Sequence, residues 1–304
     1  MIRVIIWGSF IAYDMNKRFF ELECLKGNME IAGIILNEHH LFRKIDGYDV
    51  LSIDSLMNCK DEYIIDMNGR ETKDFANRIL HLLKIDKERI IPIQLFRLPY
   101  FDLSKWLEVR NRRTTILANQ CWGGFVYHTL GLEFASPCIN MWFAPKDFFC
   151  FVNNFKEITK EELVFDREEY DEVLQRNYPV ARLGNVEIHM NHYMNFENAK
   201  TCWDRRIQRI NYDAILVHAV LYTREEINSF EHIPYSKVGV TNIPCSLPDV
   251  ISYQGKSAEY IEKKYANNLG NFVNHSVMVS SDEFKRYDLL KMLNGEEDFK
   301  RTET

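Results

Sequence analysis

The chain has 304 residues, 46% hydrophobic and 27% charged, with a formal net charge of −6. This describes a globular protein long enough for two domains, and the acidic balance excludes the broad basic surface that nucleic-acid binding needs. The seven cysteines, an odd number with no Cys-x-x-Cys, argue against a disulfide framework and a thiolate zinc site.

No apolar run approaches the ~18–20 residues of a spanning helix. The opening MIRVIIWGSF is too short and wrongly flanked for a signal peptide and reads as a strand. The expectation is a reduced, cytoplasmic protein without a transmembrane segment.

Arg3 to Trp7 is a continuous apolar strand followed by Gly8, and Ile11 to Lys26 reads as a helix stopped by Gly27. Ile31 to Leu36 is a second apolar strand ending at Asn37. His39 to Gly47 is a polar loop in which His39-His40 is solvated, and Tyr48 to Leu51 is a short extended piece. Ser52 or Asp54 caps a short helix, and Tyr63 to Asp66 is a third buried strand. Arg70 to Leu83 is amphipathic, with Phe75, Ile79, Leu82 and Leu83 apolar, and Arg89 to Ile93 is a fourth strand.

Strands and helices alternating at this spacing imply a parallel sheet with right-handed crossovers. The fold class is therefore α/β, with residues 1–101 forming a Rossmann-like domain. In such a domain the turn after the first strand holds a pyrophosphate when it reads Gly-x-Gly-x-x-Gly. Here it reads Gly8-Ser9-Phe10-Ile11-Ala12-Tyr13, and Asn37 stands where an acid would hold the ribose. NAD is disfavoured, and no other cofactor is assigned.

Pro92 to Pro99 is a junction, Leu103 to Asn111 a connecting helix, and the domain boundary is placed near Phe101. Residues 102–304 form a larger, less regular α/β domain. It opens on Thr114 to Ala118, an apolar strand, followed by the tight turn Asn119-Gln120-Cys121-Trp122-Gly123-Gly124 and a short helix, Phe125 to Leu130. Lys146 to Phe155 is an aromatic helix, whereas the charged stretch Lys156 to Gln175 reads as a solvated face or loop.

Pro179 to Leu183 and Val186 to Met190 form a hairpin about Gly184-Asn185. Asn195 caps a helix from Phe196 to Asn211, Ala214 to Leu221 is a buried strand, and Thr223 caps Arg224 to Phe230. A strand at Lys237 to Thr241 and an extended piece at Val250 to Tyr253 follow, then helices at Ser257 to Asn267 and Ser281 to Leu293.

A thiol on a strand-to-helix turn sits where a helix N-terminus favours the thiolate, so Cys121 is a candidate nucleophile. Its base would be His128, His189 or His192. His128 lies about two turns along the same helix, so His192, at a strand end, is the better partner. His189 and His192 are three apart, which on a strand puts them on opposite faces, so no zinc site is assigned.

Along the helix from Phe196, Arg205, Arg206 and Arg209 share one arc beside an apolar stripe of Phe196, Ala199, Trp203, Ile207 and Ile210. Neighbouring guanidiniums need anions, either the protein's own carboxylates or a bound phosphate. Asn119 and Gln120 offer hydrogen bonding to a sugar or base, and Trp122, Trp142 and Trp203 offer stacking, while core packing is the simpler account of each.

The segments Asn119 to Gly124, Ser136-Pro137, His192-Tyr193 and Trp203 to Asn211 together resemble a bacterial family of domains of unknown function often described as exopolysaccharide-biosynthesis proteins. The first domain resembles the degenerate Rossmann-like module found ahead of several surface-sugar enzymes. The resemblance implies a context, cell-surface polysaccharide, and little chemistry.

The leading expectation is a transferase moving a group from a phosphate-bearing activated donor, such as a nucleotide sugar or acyl thioester, to a sugar acceptor. His192 and Cys121 would be catalytic. Asn119, Trp122, Gly123, Gly124, His128, Tyr193, Trp203, Arg205, Arg206 and Arg209 would bind substrate. The alternatives are a non-catalytic sugar- or nucleotide-binding module and a cysteine-dependent hydrolase. The aromatic content leaves room for a homodimer face.

Overall fold

The computed structural model describes residues 1–38, 42–59, 62–277 and 287–299. His39-His40, the Phe75 side chain and residues 281–286 of the last expected helix lie outside the described residues. The chain divides into two compact units, Met1–Glu108 and Val109–Thr304. The division falls inside the connecting helix, a few residues beyond the expected boundary at Phe101.

The first unit runs β1 (Ile2–Gly8), α1 (Phe10–Leu25), β2 (Met29–Leu36), β3 (Lys44–Ile45), β4 (Tyr48–Leu51), β5 (Tyr63–Asp66), α2 (Arg70–Leu82) and β6 (Ile90–Pro92), with α3 (Leu103–Arg112) crossing the division. The sheet order is β3-β4-β2-β1-β5-β6. All pairs are parallel except β3 with β4, a small antiparallel edge in which β3 comes from the segment expected to be loop and β4 is the expected extended piece. The continuous apolar runs of β1 and β5 reflect burial on both faces, as parallel strands covered by helices require.

The Ser9 hydroxyl accepts from Ala12 N at 3.1 Å and starts α1, and Gly27, at φ +76°, ends it. A Cβ on Gly8 would lie 2.8 Å from Met67 Cβ, so the close approach of this strand end to Met67 requires glycine. The Glu38 carboxylate accepts from Phe10 N at 3.3 Å at the start of α1. Asn37 accepts from Trp7 Nε1 at 2.9 Å and donates to Asn68 at 2.7 Å, tying neighbouring strand ends together.

The second unit runs β7 (Thr115–Ala118), α4 (Trp122–Thr129), α5 (Pro145–Asn153), α6 (Phe155–Ile158), β8 (Leu163–Asp171), β9 (Arg176–Leu183), β10 (Val186–His189), α7 (Phe196–Ile207), β11 (Ile215–Leu221), α8 (Arg224–Glu231), β12 (Ser236–Thr241), β13 (Val250–Ser252), α9 (Lys256–Tyr265), α10 (Leu269–His275) and α11 (Leu289–Asn294). Strands β13-β12-β11-β7 form a fully parallel sheet, and β10-β9-β8 form an antiparallel one. Asn195 and Thr223 cap α7 and α8 through their side-chain oxygens. Phe148, Phe151, Phe155 and Trp203 are fully buried in a core shared with residues of both sheets.

Besides the last helix, expected from about Ser281 but beginning among the described residues at Leu289 with Asp288 as its cap, two segments of the second unit differ from the expected reading. The charged stretch after Lys156 is not a loop: it contains β8, whose residues are mostly exposed, so it is a solvated face carried on a strand. Its charges are satisfied along the strand and across the sheet: Arg167 binds Asp166 and Glu169 on β8 and Glu187 on β10, and Arg182 on β9 binds Asp166 and Glu187. Cross-strand ion pairs let a strand carry charge on its open face without an apolar alternation to announce it. The other is α10, which no strong periodic signal marked. Among the described residues no helix is long and apolar enough to cross a membrane.

Candidate functional site

The turn after β7 is held by a set of local contacts. Asn119 lies past the end of the strand, where its amide replaces a missing strand residue. Its Nδ2 donates to Val220 O and its Oδ1 accepts from Val220 N, both at 3.0 Å. Tyr127 fastens α4 back onto the strand, with its hydroxyl donating to Thr114 O at 2.7 Å and accepting from Ile116 N at 3.0 Å.

Gly123 lets the helix approach closely, since a Cβ there would lie 3.1 Å from Ile116 Cγ2. Trp122 is fully buried and stacks on His218 of β11, with ring centroids 3.9 Å apart and planes 6° from parallel. The Trp122 Nε1 and both ring nitrogens of His218 are buried without a hydrogen-bond partner. Burial with no compensating contact depresses the His218 pKa to about 3.

Cys121 is the N-cap of α4 and half-buried at the C-terminal end of the parallel sheet. Its Sγ lies 3.5 Å from His192 Nε2, across 71 residues of sequence. His192 is exposed and sits in the turn after β10. That turn is fixed by Tyr193 N donating to Met190 O at 2.9 Å and by Met190 N donating to Pro179 O at 3.0 Å.

Burial raises the Cys121 thiol pKa, and no charged group opposes it. Partial desolvation of the ring, exposed though the residue is, and the Arg176 guanidinium lower the His192 pKa, while Asp171 acts the other way. The pair is therefore a thiol facing a neutral imidazole at neutral pH, a ring able to accept a proton.

The three arginines of α7 and its end do not converge. Arg206 is buried at 4% exposure, one further step along the Ala199-Trp203 stripe. It donates to Ile139 O at 3.0 Å and to the Tyr193 hydroxyl at 2.7 Å. Its task is to hold the residue beside His192, and a donor phosphate cannot reach it without displacing those partners. Arg209 pairs with Glu133 at 3.1 Å, and Arg205 is exposed, 3.8 Å from Cys202 Sγ.

Of the other expected binding residues, Asn119, Trp122, Gly123, Tyr193 and Trp203 are buried within the fold. Gly124 is half-buried and His128 is exposed in the last turn of α4, away from the N-cap that carries the thiol.

His189 and His192 face different partners. His189 stacks on Trp142 at 3.8 Å, accepts or donates at the Tyr178 hydroxyl at 3.1 Å, and lies 3.2 Å from Glu187. Ligand atoms of Glu169, Glu187 and His189 fall within 4.8 Å of one another and are the described residues best arranged to hold a metal. Arg167 already bridges both carboxylates, so the cluster reads as a neutralised ion network.

Sequence reasoning did not single out Asp171, Arg176 or His218. The spacing of Glu187 and His189, two apart on one strand face, was the available signal for the ion network.

The protein is similar to an uncharacterized protein of Haemophilus influenzae, 27% identical over 193 residues that cover 62% of this chain and 87% of that one. A family model described as a domain of unknown function, DUF1919, matches residues 93–294, a span that takes in β7, the Cys121 turn, His192 and α7. The chain belongs to the DUF1919 family.

Proposed function

We propose that the second unit catalyses acyl transfer through a covalent thioester on Cys121, with His192 as its acid–base partner. The observation that carries this reading is the 3.5 Å approach of Cys121 Sγ to His192 Nε2 at the first turn of α4. A thiol, a base within reach and free backbone donors are the parts nucleophilic acyl chemistry needs.

In the first step His192 takes the Sγ proton as sulfur attacks the donor's acyl carbon. The bond from that carbon to the leaving group breaks, and the imidazolium returns the proton to the leaving atom. In the second step His192 takes a proton from an acceptor hydroxyl, whose oxygen attacks the Cys121 thioester. The C–S bond breaks and Cys121 leaves as a thiol, reprotonated by the imidazolium. The first-turn amides of Trp122, Gly123 and Gly124 have no intrahelical acceptor and are the groups available to the oxyanion.

The acceptor in this reading is a sugar hydroxyl of a surface polysaccharide, the context that the sequence resemblance supports, and the donor is an acyl thioester. Water in the acceptor's place makes the same machinery a hydrolase. The arginine helix supports the fold around His192 and has no assigned part in holding a donor phosphate.

The test is intact-protein mass spectrometry after incubation with p-nitrophenyl acetate and, separately, acetyl-coenzyme A. The expected result is one acyl adduct mapping to Cys121, absent in Cys121→Ala and formed at least tenfold more slowly in His192→Gln. No adduct, or labelling spread evenly over the seven cysteines, overturns the proposal.

A further inference from the structure

The hairpin between β8 and β9 ends on an acid and a base that face each other. Asp171 and Arg176 are cross-strand partners, the last pair before the exposed tip at residues 172–175. Asp171 Oδ1 accepts from Val173 N and Leu174 N, both at 2.9 Å, which fixes the carboxylate within the turn.

Arg176 reaches out of the hairpin to the turn that carries His192. One terminal nitrogen donates to Asn191 O at 3.0 Å, and the other lies 3.1 Å from Met194 Sδ. Its contacts thus fall on both sides of His192 in sequence. The Arg176 Nε is buried and makes no hydrogen bond, so the side chain meets this turn through its two terminal nitrogens.

We infer that this hairpin end is the third component of the Cys121–His192 pair: Arg176 is the positioning residue that clamps the His192 turn, and Asp171 is the counter-charge for the imidazolium formed when the thiol gives up its proton. The inference rests on the acyl-transfer reading for its purpose, but its electrostatics hold whether or not an acyl-enzyme forms. Among the described residues, the charged or titratable groups acting on His192 are Cys121 at the start of α4, Asp171 on β8 and Arg176 on β9. The two charges oppose each other, Asp171 favouring the imidazolium and Arg176 the neutral ring. A residue that only stiffened the turn would have no such sign.

The experiment follows the His192 ring by heteronuclear NMR titration in the full chain, alongside the pH profile of Cys121 alkylation by iodoacetamide. Asp171→Asn is expected to move the His192 midpoint down and Arg176→Gln to move it up, with the low-pH limb of the alkylation profile following in each case. Arg176→Lys keeps the charge and is expected to leave the midpoint near that of the parent.

Midpoints that stay put in both Asp171→Asn and Arg176→Gln, or that move in the same direction, overturn the inference. Should Arg176→Gln fail to fold, the Asp171→Asn and Arg176→Lys arms decide it, and an unmoved midpoint in Asp171→Asn refutes it. An absent acyl adduct with opposite NMR shifts would remove the nucleophile reading and leave the hairpin's role standing.

Discussion

Replacing His218 with phenylalanine is expected to make the protein less sensitive to acid. The imidazole is fully buried in the central part of the parallel sheet, with no partner for either nitrogen. Its folded pKa is about 3, against a reference of about 6.5 in the unfolded chain. The folded state holds the ring neutral, so its contribution to stability is complete above the unfolded pKa and is lost as pH falls below it toward the folded value.

Between pH 7 and pH 5 the unfolded chain takes up most of one proton that the folded chain refuses. Linkage makes this a loss of about 2 kcal/mol. The phenyl ring can keep the stack on Trp122 while removing both the titration and two unpaired polar atoms, so stability at pH 7 should be equal or slightly higher.

Urea unfolding of parent and variant, followed by tryptophan fluorescence at the two pH values, measures this directly. The quantity to compare is the difference between the two pH-induced losses, in which distant groups cancel. A His218→Phe variant that loses as much stability as the parent between pH 7 and pH 5 would refute the argument, because the unprotonated buried ring would then not be its source.

Two further outcomes are expected in the same unit. Asn119→Ala strips both partners from the Val220 backbone at the sheet end, and a loss of roughly 2–4 kcal/mol should appear in urea midpoints. Arg206→Ala removes the donor that holds Ile139 O and the Tyr193 hydroxyl and empties a buried volume. It is expected to cost about 3 kcal/mol or more in thermal melts, while the exposed Arg205→Ala stays within about 0.5 kcal/mol. Arg206→Ala should also slow Cys121 alkylation, because Tyr193 is the residue next to His192; equal melts for the two arginine variants would contradict the assignment.

Most elements were legible from local chemistry. Gly27 ends α1, Asn195 and Thr223 cap their helices, and the apolar runs at Val4, Ile64 and Val217 lie in buried strands, because each of these signals acts within a turn or two of its own residue. The strand β8 was not legible, since its charges are balanced by residues on β9 and β10 that only the folded sheet brings opposite it. The helical wheel put Arg205, Arg206 and Arg209 on one arc but had no means of saying which side of that arc would be packed. The fold turned Arg206 inward and left Arg205 to solvent.

The amino-acid sequence by itself determined the α/β class, the order of most elements and the chemical promise of a thiol on a strand-to-helix turn. Only tertiary structure decided that a histidine 71 residues away would meet that thiol, and that Arg176 would reach the turn that delivers it. Spacing and periodicity are properties of one element, whereas the distance between two side chains on different sheets is set by how the whole unit packs.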